Sequence, residues 1–357
     1  KDLPDELRAL KDNMTPPAWL DWNAIEKGQL LFLKHTGSSA FGLLYFSLIG
    51  GFSAPKIVKT LDETGYLTSG TRDATWRRLN ETFSMVVACM DSPASLQPDQ
   101  DAWLSILRVR LLHSRTRLRI LRSKKGWDTK EFGVPINQED MMGTLLSFSA
   151  NVLESIDRIA TFGVREWMPT WVTRLAHSTG LPSVSPVSHD EQMAYLHLWR
   201  YIGHLVGVRP EFNKCIDVPT AKGATESVVM HLLHPNDRSR AVAHNVLSAV
   251  ALREPLRWPM EKHAQAARML LGSPLADALG LPFSWYHSLR LATVFTTMAA
   301  VSWLLAPFMT PKSDYIVKCK RALKVTVRDA LTGTLDGADK GQFSGSVAST
   351  GGCPMGW

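Results

Sequence analysis

The stretch WLSILRVRLLHSRTRLRILR, residues 103–122, carries the main signal for the fold. Its apolar residues recur at spacings of three and four, which is typical of an α-helix. On such a helix Ile106, Arg110, His113 and Arg117 share one stripe, because they stand at i, i+4, i+7 and i+11. The stretch therefore predicts a helix face on which a histidine has an arginine one turn before it and another one turn after it.

The same spacing recurs through most of the 357 residues, whereas strand patterns are sparse. The protein is therefore predicted to be all-α, and 45% hydrophobic residues are enough for a substantial core. We predict a polar, proline-containing lead-in at residues 1–25, a single helical domain at residues 26–332, and a loose Gly/Ser-rich tail at residues 333–357. The chain begins with Lys1 and not with methionine, which is compatible with a leader removed by processing or by cloning.

The formal net charge of +7 is compatible with nucleic acid, an anionic membrane or an anionic cofactor. No zinc finger, RNA-binding signature or long lysine run supports nucleic acid, so that class of partner is not predicted. The four cysteines are scattered, without zinc spacing or a CxxCH motif. A disulfide framework is not expected, and any haem would be held non-covalently.

Two apolar stretches, residues 35–55 and 291–311, lack Asp, Glu, Lys and Arg over a length that could span a hydrocarbon core of about 30 Å. Gly and Ser interrupt the first, and Thr, Ser and Pro interrupt the second. Both stretches are therefore interpreted as buried or pocket-lining helices, with a peripheral membrane contact of residues 291–311 as the alternative.

Two interpretations of the stripe at His113 are open. Imidazole is a common protein ligand of haem iron, and guanidinium groups pair with carboxylates such as haem propionates, so the stripe could form the wall of a haem site. On spacing alone, a solvated basic helix with one partly buried histidine is the simpler interpretation.

A second cluster lies in TWRRLNETFSMVVACM, residues 75–90. On a helix Arg78, Glu81 and Thr82 share one face, which brings together a guanidinium, a carboxylate and a hydroxyl beside an apolar run. Such groups suit oxygen chemistry, in which donors orient bound oxygen and a carboxylate moves protons. The alternative is that Glu81 pairs with Arg77 or Arg78 on a wet surface.

RRLNETF, RLLHSRTR and YLHLWRYIGHLVGV, taken in order, resemble the catalytic domain shared by latex clearing proteins, which are bacterial rubber oxygenases, and ER-bound oxygenases of the mycophenolic acid type. The family pattern is Arg-x-x-Lys-Thr, followed by Arg-x-x-His-x-x-x-Arg. Arg78 and Thr82 match the first motif, and Arg110, His113 and Arg117 match the second. The resemblance covers roughly residues 30–250.

The resemblance implies a globin-like, helical haem b domain with His113 as the proximal iron ligand and Arg110 and Arg117 beside the cofactor. It places Arg78 and Thr82 on the distal side with an upstream acid, for which LDETGYL offers Asp62 or Glu63. Glu81 stands where the rubber oxygenase pattern has a lysine that can cap the iron. We therefore predict no lysine-capped state, and an action on polymeric rubber does not follow automatically.

The implied reaction is cleavage of a C=C bond in a prenyl, terpenoid or polyisoprenoid substrate, with O₂ as co-substrate and carbonyl products. Two alternatives are a haem hydroxylase or peroxidase of an aromatic or terpenoid metabolite and a non-catalytic helical protein that docks on anionic lipid. His197 is the main rival iron ligand, because it shares a helix face with His204 two turns later.

Overall fold

The computed structural model describes residues 5–12, 14–65, 67, 71–123, 126–161 and 185–336, and all regular elements in these ranges are helical. The α-helices are α1 (Asp5–Asp12), α2 (Trp22–Lys34), α3 (Thr36–Phe41), α4 (Pro55–Thr64), α5 (Arg72–Cys89), α6 (Asp101–Leu121), α7 (Thr129–Phe132), α8 (Gln138–Phe148), α9 (Ala150–Ala160), α10 (His189–Val206), α11 (Val218–Leu232), α12 (Asp237–Val250), α13 (Met260–Leu271), α14 (Ser273–Ala278), α15 (Trp285–Leu304) and α16 (Asp314–Asp336). A π-helix (Gly42–Ile49) continues α3, and 3₁₀ turns occupy Pro93–Leu96 and Ala306–Phe308. The predicted all-α class is confirmed.

The helices that carry the candidate residues begin and end at ordinary capping signals. The side chain of Thr71 accepts a hydrogen bond from the Ala74 backbone N–H at 3.2 Å and starts α5. Ser188 and Glu191 form a capping box at the start of α10, and Gly207, with a φ of 98°, ends that helix. The helix predicted at residues 103–122 is α6, and most of residues 75–90 lie in α5.

Two hydrophobic clusters hold the helices together. The first lies among α2, α5, α6, α8 and α10 and contains the fully buried rings of Trp103, Trp199 and Tyr201. The second lies among the π-helix, α12, α13 and α15, where Phe41 packs edge-to-face on Tyr45 and Phe295 at centroid distances of 5.2 and 5.9 Å. Large aromatic side chains bury much area each, so these clusters supply much of the stabilisation.

The two apolar stretches differ in burial. Residues 35–55 form α3, the π-helix and the turn into α4, and most of their side chains are buried or half-buried, as predicted. For residues 291–311 the prediction of a buried helix is wrong, and the alternative of a pocket-lining helix stays a prediction. These residues lie in an apolar helical stretch, Trp285–Phe308, in which only 22% of the most apolar window is buried. Composition does not distinguish a core helix from an apolar helix on the surface.

The predicted segment boundaries fall inside helices. Residue 25 is Ile25, a fully buried residue of α2, and Met14 in the predicted lead-in is also fully buried. The Met14 carbonyl accepts a hydrogen bond from Trp103 Nε1 at 3.2 Å. Helix α16 continues past residue 332 to Asp336, and the rest of the predicted tail lies outside the described residues. The division into lead-in, domain and tail stays a prediction.

Two histidines are buried in the core with only 4% and 2% of their surface exposed. His35 Nδ1 lies 2.9 Å from Ser302 Oγ, and His263 Nδ1 lies 2.6 Å from Tyr45 Oη. Burial lowers the pKa of both imidazoles from 6.5 to about 4, because the charged form loses its hydration. For His35, Glu191 opposes this shift and Lys34 adds to it.

We expect acid to destabilise the fold between pH 6.5 and about 4. In that window the unfolded chain protonates His35 and His263 while the folded protein keeps them neutral, so the free energy of unfolding falls as the pH drops. Each histidine should contribute roughly 1–3 kcal/mol, measurable as a falling Tm in circular dichroism. The double variant His35→Asn/His263→Asn keeps an amide near each hydroxyl and should flatten the decline. A parent Tm that stays constant over the window would contradict the expectation.

Candidate functional site

The two candidate motifs lie at a similar level on neighbouring helices. Helices α5 and α6 are consecutive, pack against each other and are joined through the 3₁₀ turn Pro93–Leu96, which contacts both. Arg78 stands 11 residues before the end of α5 at Cys89 (89 − 78), and His113 stands 12 residues after the start of α6 at Asp101 (113 − 101). At a rise of about 1.5 Å per residue, both are about 17 Å from the turn.

The ring of His113 is half-buried, and its Nδ1 atom is buried without a hydrogen-bond partner. Burial lowers the pKa of His113 from 6.5 to about 4, and the positive charge of Arg117 lowers it further in the same direction. The imidazole is therefore neutral at physiological pH, which is the state in which histidine binds metals. A buried ring nitrogen without a partner is unusual in a native fold. Among the described histidines it occurs at His113, at His263 Nε2 and at His287 Nδ1, and of these three histidines His113 is the one that lies in the arginine stripe.

The two arginines of the His113 stripe both donate to backbone carbonyls. Arg110 Nη1 donates to the Leu205 carbonyl at 3.2 Å, at the last turn of α10, and burial lowers the pKa of Arg110. Arg117 donates from Nε to the Pro135 carbonyl at 3.1 Å and from Nη2 to the Ile136 carbonyl. These contacts tie α6 to the end of α10 and to the segment before α8, on either side of His113.

Gly207 is needed where Arg110 meets the end of α10. Its φ of 98° lies in the left-handed region, and a Cβ there would stand 3.1 Å from Arg110 Nε. Gln138 completes this corner, because its Nε2 donates to the Gly207 carbonyl at 3.1 Å and its Oε1 accepts from the Arg209 backbone N–H at 2.9 Å. The sequence analysis did not single out Gln138, since its partners lie about 70 residues away in the chain.

The second motif forms contacts within its own helix. Arg77 Nε lies 3.3 Å from Glu81 Oε1, so the pairing with Arg77 considered from the sequence is present, but both side chains are half-buried and not on a wet surface. Burial raises the pKa of Glu81, while Arg77 and Arg78 lower it by a smaller amount. Thr82 is exposed, and its hydroxyl donates to the Arg78 carbonyl at 3.3 Å.

The two candidate upstream acids both lie in α4, which contacts α6 and α12. Asp62 Oδ2 accepts a hydrogen bond from Arg238 Nη1 of α12 at 3.1 Å. Glu63 Oε1 accepts from Lys59 Nζ, one turn earlier in α4, at 2.7 Å. Both carboxylates are ion-paired, so the contacts alone do not choose between them.

The rival His197 has a structural task. Its Nε2 accepts a hydrogen bond from the Asp21 backbone N–H at 3.0 Å, and its ring packs edge-to-face on Trp19 at 5.5 Å. His204 Nε2 lies 3.1 Å from the Thr15 carbonyl. The two histidines therefore hold residues 15–21 onto α10, and the Nε2 lone pair of His197 is already used.

Among the described residues, no three His, Cys, Asp or Glu side chains come together as ligands for a bare metal ion. The described site instead offers one neutral imidazole with arginines before and after it. The match of the sequence to a family model identifies the family of the chain. Residues 34–303 match the family described as "ER-bound oxygenase mpaB/B'/Rubber oxygenase, catalytic domain".

The chain belongs to this oxygenase family. The matched region contains every candidate residue from Asp62 to His197 and confirms the resemblance seen in the sequence. The chain is 25% identical to the rubber oxygenase of Streptomyces sp. (strain K30) over 309 residues, which cover 85% of this chain and 68% of that protein. Its helices also superpose on a solved structure of latex clearing protein in the closed state, with a TM-score of 0.58 and 21% identity over 91% of this chain and 80% of the other.

The structural likeness shows that this member of the family shares its fold with latex clearing protein. The residue at position 81 is acidic and ion-paired, in contrast to the lysine of the rubber oxygenase pattern. In the described residues of α5, this helix face therefore presents a carboxylate paired with Arg77 at that position.

Proposed function

We propose that the protein is a haem b-dependent oxygenase that acts on a hydrophobic olefinic substrate, such as a prenyl, terpenoid or polyisoprenoid chain. The observation that carries the proposal is the state of His113, a neutral imidazole with a buried, unpartnered Nδ1 in the motif that matches the family. One axial histidine is sufficient to hold haem iron, so a site without a cluster of metal ligands fits this cofactor.

In this proposal His113 holds the iron, and Arg110 and Arg117 bind the cofactor's carboxylates. A guanidinium has five N–H donors, so the contacts to the carbonyls of Leu205, Pro135 and Ile136 leave donors for this pairing. The hydrogen bonds of Arg110 to α10 and of Arg117 to the segment before α8 would also fix the direction in which each guanidinium points. When bound, haem b supplies a redox-active iron at which O₂ reacts.

The residues of α5 and α4 would orient oxygen and move protons. Arg78 and Thr82 are the proposed donors, and the acid is Glu81, Asp62 or Glu63. Glu81 is favoured by its pKa, because burial raises it and a carboxyl with a raised pKa holds a proton closer to neutral pH. Asp62 and Glu63 are candidates through their position on α4, which contacts α6.

The proposed reaction is cleavage of a C=C bond by O₂, in which each oxygen atom ends in one of two carbonyl groups. The relative of Streptomyces is a rubber oxygenase by name, which supports a polyisoprenoid substrate. Position 81 is glutamate and not the lysine that caps the iron in the rubber oxygenase pattern. This difference supports a smaller olefin as an alternative substrate. If haem b is bound, this motif would offer no lysine to cap its iron, because position 81 is glutamate.

The test is product analysis under ¹⁸O₂. Haem-supplemented full-length protein should show a Soret band, and polyisoprene and a panel of prenylated compounds should be screened by mass spectrometry. We expect each of the two carbonyl fragments to carry one ¹⁸O atom. A single ¹⁸O in an otherwise intact product would identify a hydroxylase instead. Protein that takes up no haem would exclude both reactions.

A further inference from the structure

Helix α15 and the residues around it form an apolar surface with only positive charges. No Asp or Glu occurs between Asp277 and Asp314, whereas Arg290 and Lys312 lie within this stretch. The helical stretch Trp285–Phe308 is long and apolar enough to cross a membrane, yet only 22% of its most apolar window is buried inside the protein. An exposed apolar surface of this length on a soluble protein requires a partner.

The exposed residues of α15 recur every three or four positions and so follow one face. They are Trp285, Tyr286, Leu289, Arg290, Thr293, Thr296, Thr297, Ala300, Trp303 and Leu304. The largest exposed side chains lie at the two ends of this face, where Phe283, Trp285 and Leu289 are 67%, 71% and 65% exposed and Leu304 and Phe308 are 66% and 82% exposed. Exposed Trp, Phe and Leu side chains along one face are typical of a helix that lies in the plane of a membrane interface.

The middle of this face is less polar than its sequence suggests. The hydroxyls of Thr293, Thr296 and Thr297 donate to the carbonyls of Arg290, Ala292 and Thr293 within the helix, at 2.7–2.9 Å. Since these hydroxyls already have hydrogen-bond partners, moving them out of water costs little. Arg290 Nη1 donates to Tyr286 Oη at 2.8 Å, which places the one cation of this face beside an interfacial aromatic ring.

The opposite face of α15 is committed to the protein. Leu291 and Phe295 are fully buried, and Ser302 Oγ lies 2.9 Å from the buried His35 Nδ1. The helix packs on α9 and α13. A helix held along its length by the domain cannot cross a bilayer, so its exposed face is suited to lie in the plane of the interface.

We propose that α15, with Phe283 before it and Leu305 and Phe308 after it, docks the protein on an anionic lipid surface. The apolar side chains enter the boundary between headgroups and acyl chains, and Arg290 and Lys312 attract the anionic headgroups. The absence of any acidic residue in the stretch favours a lipid surface over a second copy of the chain, because two such faces would bring like charges together.

The test is cosedimentation of the full-length protein with phosphatidylcholine vesicles that contain or lack phosphatidylserine. The variant Leu289→Glu/Phe308→Glu should lower the affinity for the anionic vesicles by at least about tenfold. The matched control Val229→Glu/Met230→Glu changes two residues of α11 that are 49% and 68% exposed, and it should bind like the parent. Circular dichroism should show the same helicity for all three proteins.

A second measurement needs no charged variant. Brominated lipid should quench tryptophan fluorescence of the parent, and Trp285→Phe should reduce that quenching. The proposal is overturned if the parent ignores anionic vesicles, or if the α15 variant binds them as well as the parent does. It is also overturned if the parent is a dimer that ignores vesicles and the α15 variant is a monomer.

Discussion

A His113→Ala variant should purify colourless even when haem is supplied, whereas His197→Ala should keep the Soret band of the parent. His113 is the residue that would hold the iron in the proposed site, so haem content per chain should fall by at least about tenfold when its imidazole is removed. His197 has its Nε2 occupied by the Asp21 backbone N–H, so its loss should leave the cofactor in place.

For stability we expect the opposite order, so that His197→Ala loses more free energy of unfolding than His113→Ala. His113 makes no Nδ1 hydrogen bond in the described protein, so its removal from the protein without haem costs only local packing. Removal of His197 leaves the Asp21 N–H without its acceptor and should cost about 0.5–1.5 kcal/mol. Absorbance spectra with haem and thermal unfolding without haem measure the two effects separately.

Two outcomes of these haem-binding measurements would contradict the assignment of His113 as the ligand. A His113→Ala protein that still binds haem with the parent's spectrum would rule out His113 as the ligand. Loss of haem in His197→Ala with an unchanged circular dichroism spectrum would move the ligand to α10. The second result would also require residues 15–21 to leave α10, because His197 and His204 hold them there.

The sequence predicted the helices of the candidate site because their signals are local. The spacing around His113 defines one face of α6, and the spacing of Arg78, Glu81 and Thr82 defines one face of α5. The spacing does not define what that face meets. Arg110 and Arg117 point along the predicted stripe, but their partners at Leu205 and Pro135 are brought in by tertiary packing. A pattern along one helix contains no information about such contacts.

The low burial of α15 could not be predicted from the sequence, for a related reason. Hydrophobicity and length are the same for a core helix and for a surface helix that faces lipid. The threonines were interpreted as polar interruptions, whereas their hydroxyls bond to the carbonyls of their own helix. These hydrogen bonds follow from helix geometry. They make Thr296 and Thr297 more compatible with an apolar environment than their residue type suggests.

Gly28→Ala should be the most destabilising single-methyl change in the pair of helices α2 and α10. A Cβ at position 28 would stand 2.6 Å from the Ala194 carbonyl oxygen and 3.1 Å from Leu198 Cβ. The first of these is backbone, which cannot rotate away, so the two helices must separate. Alanine is favoured over glycine in a helix by about 1 kcal/mol, whereas overpacking a core costs about 1–3 kcal/mol and occasionally more. We expect a net loss of up to about 2 kcal/mol in the free energy of unfolding, since a contact with backbone belongs at the upper end of the overpacking range.

Gly223→Ala in α11 is the matched control, because nothing lies within 4 Å of a Cβ there and only the helix preference changes. Urea unfolding should show Gly223→Ala to be as stable as the parent or more stable by up to about 1 kcal/mol. If Gly28→Ala behaved in the same way, the close approach of α2 and α10 would not be a constraint on the fold. The expected loss also has a consequence at the candidate site, since Arg110 donates to the carbonyl of Leu205 in the last turn of α10. A displaced α10 should therefore weaken haem retention in Gly28→Ala and leave it unchanged in Gly223→Ala.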